Sequence, residues 1–232
     1  MFGTIHTELC AGSAEDVKQA LRFPIDRIEL NCALELGGLT PTLACLKRVK
    51  QMTDLPVMCM VRPRAGDFCY SEELFSVMCT EAEELLDQGA DGIVFGFLNE
   101  DHTINPYRTR VLADLANQRS KTAVFHRAFD EIRDPIHGAE LLAELGIHRI
   151  LTSGQKDTAL QGASLIRALR EQFRDRIEFL PGAGINAATV CGVVEAAGSG
   201  WIHLSAARTM SEKSRRFDPD ILQAVYNVLS SR

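Results

Sequence analysis

The sequence predicts an α/β protein, a single TIM-type (β/α)8 barrel. Short apolar runs recur along the chain, and each is followed by a turn and a longer amphipathic stretch. A chain of 232 residues with 46% hydrophobic content can bury one large core, as barrels of this length do. We expect one domain over 1–232, with strands at 7–10, 27–31, 56–62, 92–97, 122–127, 149–153, 177–180 and 201–205.

Helices are predicted between these strands because apolar residues recur there at helical spacing. Ser13 and Thr40 are expected to begin two of them as N-caps. Glycines follow three of the helices, at Gly89, Gly146 and Gly198. The predicted helices span 14–21, 42–53, 72–88, 108–117, 135–145, 163–174, 187–197 and 218–229, and residues 211–216 are expected to be a solvated charged connector.

A closed barrel and an open doubly wound sheet both fit this alternation of strands and helices. An open dinucleotide-binding sheet usually carries Gly-x-Gly-x-x-Gly after its first strand, whereas here the first strand ends in Cys10-Ala11-Gly12-Ser13. We therefore prefer the barrel, which requires the first and last strands to pair.

The composition bears on partners and compartment. The net charge of −6 is spread without a basic block, so neither nucleic acid nor an anionic membrane surface is expected as a partner. The sequence shows no secretory signal and no apolar segment long enough to span a bilayer, and a cytoplasmic location is expected. Seven cysteines without a Cys-x-x-Cys pair argue against a disulfide framework or a structural zinc site.

Functional groups of such barrels lie at the carboxyl ends of the strands. Strand alternation predicts a polar lumen and mouth formed by Glu8, Cys10, Glu29, Asn31, Arg62, His126, Thr152, His203 and Ser205.

Arg62 and Arg64 begin a long loop after the third strand. Their guanidinium groups suit the oxygens of a phosphate or carboxylate, which predicts a small anionic ligand. Alternatively, Arg62 pairs with Glu8 or Glu29 inside the barrel and only neutralises them.

His126 ends the fifth strand, and Asp130 follows it closely. An imidazole near a carboxylate can act as a general base or proton shuttle at neutral pH. The alternative is a histidine that lines the mouth without taking part in chemistry. Arg127, on the opposite face, is predicted to be structural.

Glycine-containing turns close the sixth and seventh strands. Thr152 and Gly154 on one, Gly182 and Gly184 on the other, and Ser205 at the end of the eighth strand are predicted to bind an anion through backbone N–H and hydroxyl groups. A tight strand-to-helix turn would explain the same glycines without a ligand.

Six segments resemble the CutC family, named for copper homeostasis, and they run in order over nearly the whole chain. The resemblance implies a β/α barrel, a cytoplasmic homo-oligomer and Cu(I) ligation by cysteine thiolates, with Cys10 matching the family's cysteine at the end of strand one. The segments are RIEL at 27–30, GGLTP at 37–41, RPRAGDF at 62–68, FHRAFD at 125–130, LTSG at 151–154 and PGAG at 181–184.

The family's second cysteine usually follows the RIEL segment directly, and here that position is Asn31, with Cys32 one residue later. Since neighbouring strand residues face opposite sides, Cys32 is expected to point away from Cys10.

Two main hypotheses follow. The first is a copper-homeostasis protein that binds Cu(I) weakly or indirectly, with Cys10 as the favoured ligand. The second is an enzyme that holds a phosphorylated or carboxylated molecule through Arg62, Arg64 and the loop 182–184, with His126 and Glu8 as the acid–base pair. A third, a scaffold for a protein partner, has no sequence feature in its favour.

Overall fold

The computed structural model describes residues 4–211 and 214–231, and in these residues eight parallel strands alternate with eight α-helices. Each strand overlaps a predicted one, because the short branched and aromatic runs are the segments that the sheet buries. The strands are β1 His6–Ala11, β2 Arg27–Leu30, β3 Val57–Met60, β4 Gly92–Phe95, β5 Thr122–Phe125, β6 Arg149–Thr152, β7 Glu178–Pro181 and β8 Trp201–Leu204.

The strand order shows a barrel. It runs β7-β6-β5-β4-β3-β2-β1-β8, so the first and last strands pair in parallel, as the barrel prediction requires. Within the described residues no hydrogen-bonded ladder joins β7 to β8, although these two strands lie side by side. The barrel is therefore nearly closed, with one seam.

The helices occupy the predicted intervals. The bounds are α1 Ala14–Ala20, α2 Leu43–Lys50, α3 Glu72–Asp87, α4 Pro106–Asn117, α5 Pro135–Glu144, α6 Ala163–Gln172, α7 Val190–Ala197 and α8 Pro219–Ser230. The predicted glycines at 89, 146 and 198 all have positive φ.

Ser13 caps α1, since its hydroxyl accepts the Asp16 N–H at 3.1 Å. The predicted cap Thr40 was wrong, because Thr42 caps α2 instead. The Thr40 hydroxyl is occupied elsewhere: it donates to Glu81 and accepts the Arg62 backbone N–H.

A hairpin replaces the predicted connector. Strands β9 Ala207–Ser211 and β10 Ser214–Phe217 pair antiparallel between β8 and α8. Arginines at 208, 215 and 216 hide the strand pattern in the sequence, and Phe217 of β10 is buried. Glu212 and Lys213 of the connector lie outside the described residues.

The lumen of the barrel has an apolar and a charged part. Met58, Met60, Val94 and Val124 form a buried cluster on β3, β4 and β5. The charged part lies on β1, β2, β6 and β8, where Glu8, Arg27, Glu29, Arg149 and His203 are buried. Among the described helices none is both long and apolar enough to cross a bilayer.

Candidate functional site

A cavity of about 710 Å³ opens at the carboxyl ends of the strands. Its lining combines a floor on β1, β2 and β8 with a wall on β3, β5 and the following loops. The polar and aromatic side chains that form this floor and wall are Cys10, Glu29, Arg62, Phe68, His126 and His203, and the rim adds Arg127, Asp130 and Lys156.

Glu8 lies at the centre of an ion network below the floor. Its carboxylate accepts hydrogen bonds from Arg27 Nε and from His203 Nδ1, the latter at 2.8 Å. Burial alone would raise the pKa of Glu8, but the His203 hydrogen bond and the Arg27 charge outweigh it and lower the pKa to about 2. Glu8 does not line the cavity, so the predicted acid–base pairing of Glu8 with His126 has no support in this geometry.

Cys10, Glu29 and His203 bring three potential ligand atoms together on the floor. The Cys10 Sγ, a Glu29 carboxyl oxygen and a His203 ring nitrogen all lie within 4.8 Å of one another. The register explains this convergence, because Cys10 stands opposite Glu29 on β2 and His203 stands opposite Glu8, two residues before Cys10.

The electrostatics of this cluster follow from burial and close contact. Burial and the neighbouring Glu29 raise the pKa of the Cys10 thiol well above its usual value. Burial also raises the pKa of Glu29. Burial would lower the pKa of His203, but Glu29 and Glu8 outweigh it and raise the pKa.

Asn31 stands where a second thiol would face Cys10. Its amide nitrogen donates to Glu29 Oε1 at 3.0 Å and contacts the Cys10 Sγ at 3.4 Å. The Cys32 thiol instead donates to the Thr40 carbonyl at 3.1 Å, in the loop after β2. The structure therefore confirms that Cys32 points away from Cys10.

Neither Glu29 nor His203 was singled out as a ligand from the sequence, although both were placed in the polar lumen. The sequence did contain an indication of both ligands. Each is a polar residue within an apolar strand, and each pairs with Cys10 or Glu8 on the neighbouring strand and so shares its side of the sheet.

His126 follows β5 and lines the cavity. Its Nδ1 accepts the Ala128 N–H at 3.1 Å, at the start of the short 3-10 helix Arg127–Glu131. Burial and the charge of Arg62 lower the pKa of His126 to about 3. The ring is therefore neutral with its proton on Nε2, and Nε2 has no partner among the described residues.

Asp130 does not act on His126. Its carboxylate accepts from the Thr152 hydroxyl, from the Ser153 N–H at 3.0 Å and from Arg127 Nε at 2.8 Å. Asp130 and Thr152 thus hold the loop after β6 against the 3-10 helix. The predicted proton shuttle between His126 and Asp130 is not found, since each has its own backbone partner.

Arg62 is buried but pairs with neither Glu8 nor Glu29. Its NH1 donates to the Leu36 and Gly38 carbonyls, both at 3.1 Å, and its NH2 to the Gly66 carbonyl at 2.9 Å. The side chain therefore ties the loops after β2 and β3 together while it lines the cavity.

Two predicted ligand-binding side chains lie away from the cavity. Arg64 donates to Asp67 at 2.7 Å and to the Cys69 carbonyl at 2.6 Å, so it is engaged within its own loop. Ser205 accepts from Arg215 of the hairpin at 3.2 Å.

The predicted glycine cradle is also not part of the cavity lining. A Cβ on Gly154 would lie 2.2 Å from the Gly162 carbonyl, so this glycine permits a close backbone approach. The Gly182 N–H donates to the Thr152 carbonyl at 3.0 Å, and Gly184 packs on Thr158. The tight-turn interpretation therefore accounts for these glycines.

Comparison with known proteins identifies the family. The model of the CutC family matches residues 5–208. The chain belongs to the CutC family. A CutC family protein of Treponema denticola is 45% identical to it, over 94% of this chain and 87% of the relative.

Other CutC relatives agree with this assignment. The human copper homeostasis protein cutC homolog is 41% identical, over 87% of this chain and 73% of its own. A crystal structure of a Streptococcus agalactiae protein, described as the copper homeostasis protein CutC, aligns with a TM-score of 0.80 at 28% identity. It covers 86% of this chain and 98% of its own, which agrees with the barrel fold.

Proposed function

We propose that this CutC protein serves copper homeostasis by binding copper as cargo at Cys10, Glu29 and His203. The observation that carries the proposal is the convergence of sulfur, nitrogen and oxygen atoms within 4.8 Å on the cavity floor. The relatives named for copper homeostasis support the choice of metal.

The sulfur and nitrogen donors of the cluster fit Cu(I). Thiolate sulfur is a soft ligand that Cu(I) prefers, and imidazole also suits copper. His203 donates its Nδ1 proton to Glu8, which orients the ring and leaves Nε2 on the side of Glu29, 3.9 Å from Oε1. A carboxylate behind a ligating histidine is the usual arrangement at protein metal sites.

Asn31 limits the strength of the site. With an amide in place of a second thiol, Cys10 is the one sulfur donor of the cluster. A site with one thiolate holds Cu(I) less tightly than a dithiolate, which suits an ion that is passed on. Binding also has to displace the thiol proton, because the pKa of Cys10 is raised.

The test is a titration of the reduced protein with Cu(I) against a competing chelator. Replacing a residue that only supports a metal ligand weakens metal affinity by about 10- to 100-fold. We expect Cys10→Ser, which removes a ligand itself, to weaken Cu(I) affinity by more than this. Cys32→Ser is the matched control, since its thiol bonds the Thr40 carbonyl outside the cluster, and it should bind copper like the wild type.

Equal affinity in the wild type and Cys10→Ser would place copper elsewhere and overturn the proposal. A larger loss in Cys32→Ser than in Cys10→Ser would do the same.

A further inference from the structure

The cavity has room that a copper ion on its floor does not use. Its volume of about 710 Å³ falls within the range of small-molecule sites, about 300–1,000 Å³. The wall formed by Arg62, Phe68 and His126 belongs to the loop after β3 and the residue after β5, whereas the cluster proposed for copper belongs to β1, β2 and β8. The two parts of the cavity are therefore built from different segments of the chain.

His126 holds a buried, unpaired hydrogen-bond donor in the wall of this space. The side chain is 4% exposed, and its Nδ1 is committed as the acceptor of the Ala128 N–H. The proton therefore resides on Nε2, which has no partner among the described residues. A protonated ring nitrogen has no lone pair for a metal ion, so Nε2 suits an oxygen acceptor and not copper.

Arg62 supplies a buried positive charge beside this donor. It is 6% exposed, and the ion pairs of the described residues give it no carboxylate partner. Phe68 bridges the two groups, with its ring centre 4.7 Å from that of His126 and 5.2 Å from the Arg62 Cζ. A buried cation whose partners are neutral carbonyls favours an anion in the adjoining space.

The surroundings favour a carboxylate over a phosphate. The glycine loop after β7, where barrels commonly hold phosphate, does not line the cavity, and its Gly182 N–H is occupied. Met60, Leu151 and Phe68 give the cavity apolar wall segments that suit a short carbon skeleton.

We propose that this cavity binds a small organic carboxylate, whose oxygens accept a hydrogen bond from His126 Nε2 and lie against the Arg62 guanidinium. The carbon skeleton faces Phe68, Met60 and Leu151. This binding activity does not depend on the copper proposal, because neither His126 nor Arg62 belongs to the Cys10–Glu29–His203 cluster.

His126 is the residue to vary, because replacing Arg62 would also free two loops. In His126→Asn the side-chain oxygen can still accept the Ala128 N–H, while the Nε2 donor is lost. In His126→Gln an amide N–H reaches the former Nε2 position, so donation is partly restored. The matched control is His148→Asn: His148 Nδ1 also accepts a backbone N–H, from Ala123 at 3.1 Å, but at the amino end of β6, away from the cavity.

Calorimetric titration with pyruvate, succinate and citrate, and with inorganic phosphate for comparison, is the first experiment. We expect at least one carboxylate to bind at millimolar concentrations or below, and His126→Asn to weaken its Kd about tenfold to hundredfold. His126→Gln should lie between the two, and His148→Asn should match the wild type. Cys10→Ser should keep carboxylate binding, which separates this proposal from the copper site.

A second readout uses the unaltered protein. Imidazole nitrogen NMR during the same titration should move the Nε2–H signal of His126 and leave that of His148 in place, even if a His126 variant folds poorly. No binding by any of the three carboxylates, preferential binding of phosphate, or an unchanged Kd in a folded His126→Asn would overturn the proposal.

Discussion

His126 and His203 show how a single neighbour decides what a buried histidine can do. His126 Nδ1 accepts a backbone N–H, and its ring lies beside Arg62, so it stays neutral. His203 Nδ1 instead donates to Glu8, and the nearby carboxyl groups raise its pKa. One ring is neutral and keeps an unpaired donor at the cavity wall, and the other lies among carboxyl groups that favour its charged form.

The buried neutral state of His126 predicts a pH-dependent stability. The unfolded chain binds a proton at this histidine below pH about 6.5, whereas the folded protein does not until about pH 3. The free energy of unfolding should therefore fall by up to about 1.4 kcal/mol per pH unit as the pH falls below about 6.5. Urea unfolding at several pH values measures this dependence. In His126→Asn the free energy of unfolding should change less with pH than in the wild type. An equal pH dependence in both proteins would mean that the pKa of His126 is not lowered by folding.

For single residues, the sequence predicts the position of a side chain better than its hydrogen-bond partners. Alternation along β5 placed His126 at the mouth, but its tautomer depends on the Ala128 N–H, and its lowered pKa depends on burial and on Arg62 from the loop after β3. Strand alternation does not extend to Arg64, because β3 ends at Met60. The Arg64 side chain lies in the loop after β3 and donates to Asp67.

The loops after β2 and β3 depend on one side chain. Arg62 donates to carbonyls of both loops, and the second of the paired glycines, Gly38, has φ +87 and packs against Asn31. A Cβ at Gly38 would lie 2.5 Å from the Asn31 Oδ1, so the loop is held closely over the residue that contacts Cys10.

Replacing Arg62 by lysine tests this role. A lysine cannot span three carbonyls with a planar fork, so both loops should loosen while the barrel strands stay protected. Hydrogen exchange of the backbone amides in 36–40 and 64–67 should accelerate about tenfold in Arg62→Lys. Arg64→Lys is the control, expected to affect the second loop alone; unchanged exchange in 36–40 for Arg62→Lys would show that the loop is held by other contacts.

Regular elements were predictable because local patterns determine them. The long helix α3 begins after Ser71, whose hydroxyl accepts the Leu74 N–H, and is followed by Gly89, as capping rules lead one to expect. The β9–β10 hairpin was not predictable from the sequence. Its strands carry several arginines and show no alternation of apolar and polar residues, although they pair antiparallel in the structure.

Across the whole molecule, the charged part of the lumen is held together by ion pairs between strands. Glu8 is 2% exposed and contacts both Arg27 and His203. Removing one member of a buried ion network strongly lowers the free energy of unfolding, because the remaining charges stay buried without a partner.

Glu8→Gln should therefore lower the free energy of unfolding by about 3–5 kcal/mol at neutral pH. Since the folded pKa of Glu8 is lowered to about 2 from 4.5, the difference from the wild type should persist above pH about 4.5 and shrink as the pH falls towards 2. Urea unfolding of both proteins measures it. Glu178→Gln is the control: Glu178 pairs with Arg149 but is 34% exposed, so its loss should cost less. Equal costs would contradict a special role for Glu8.

The hydrogen bond between Glu8 and His203 joins residues 195 positions apart in the chain. During synthesis on the ribosome, the first seven β/α units emerge while the strand that carries His203 has not yet been made. Until that strand docks beside β1, Glu8 has no imidazole partner and Cys10 has no nitrogen ligand nearby. The three side chains of the proposed copper site therefore come together only after β8 has been made and docked, so an unfinished chain lacks the complete site.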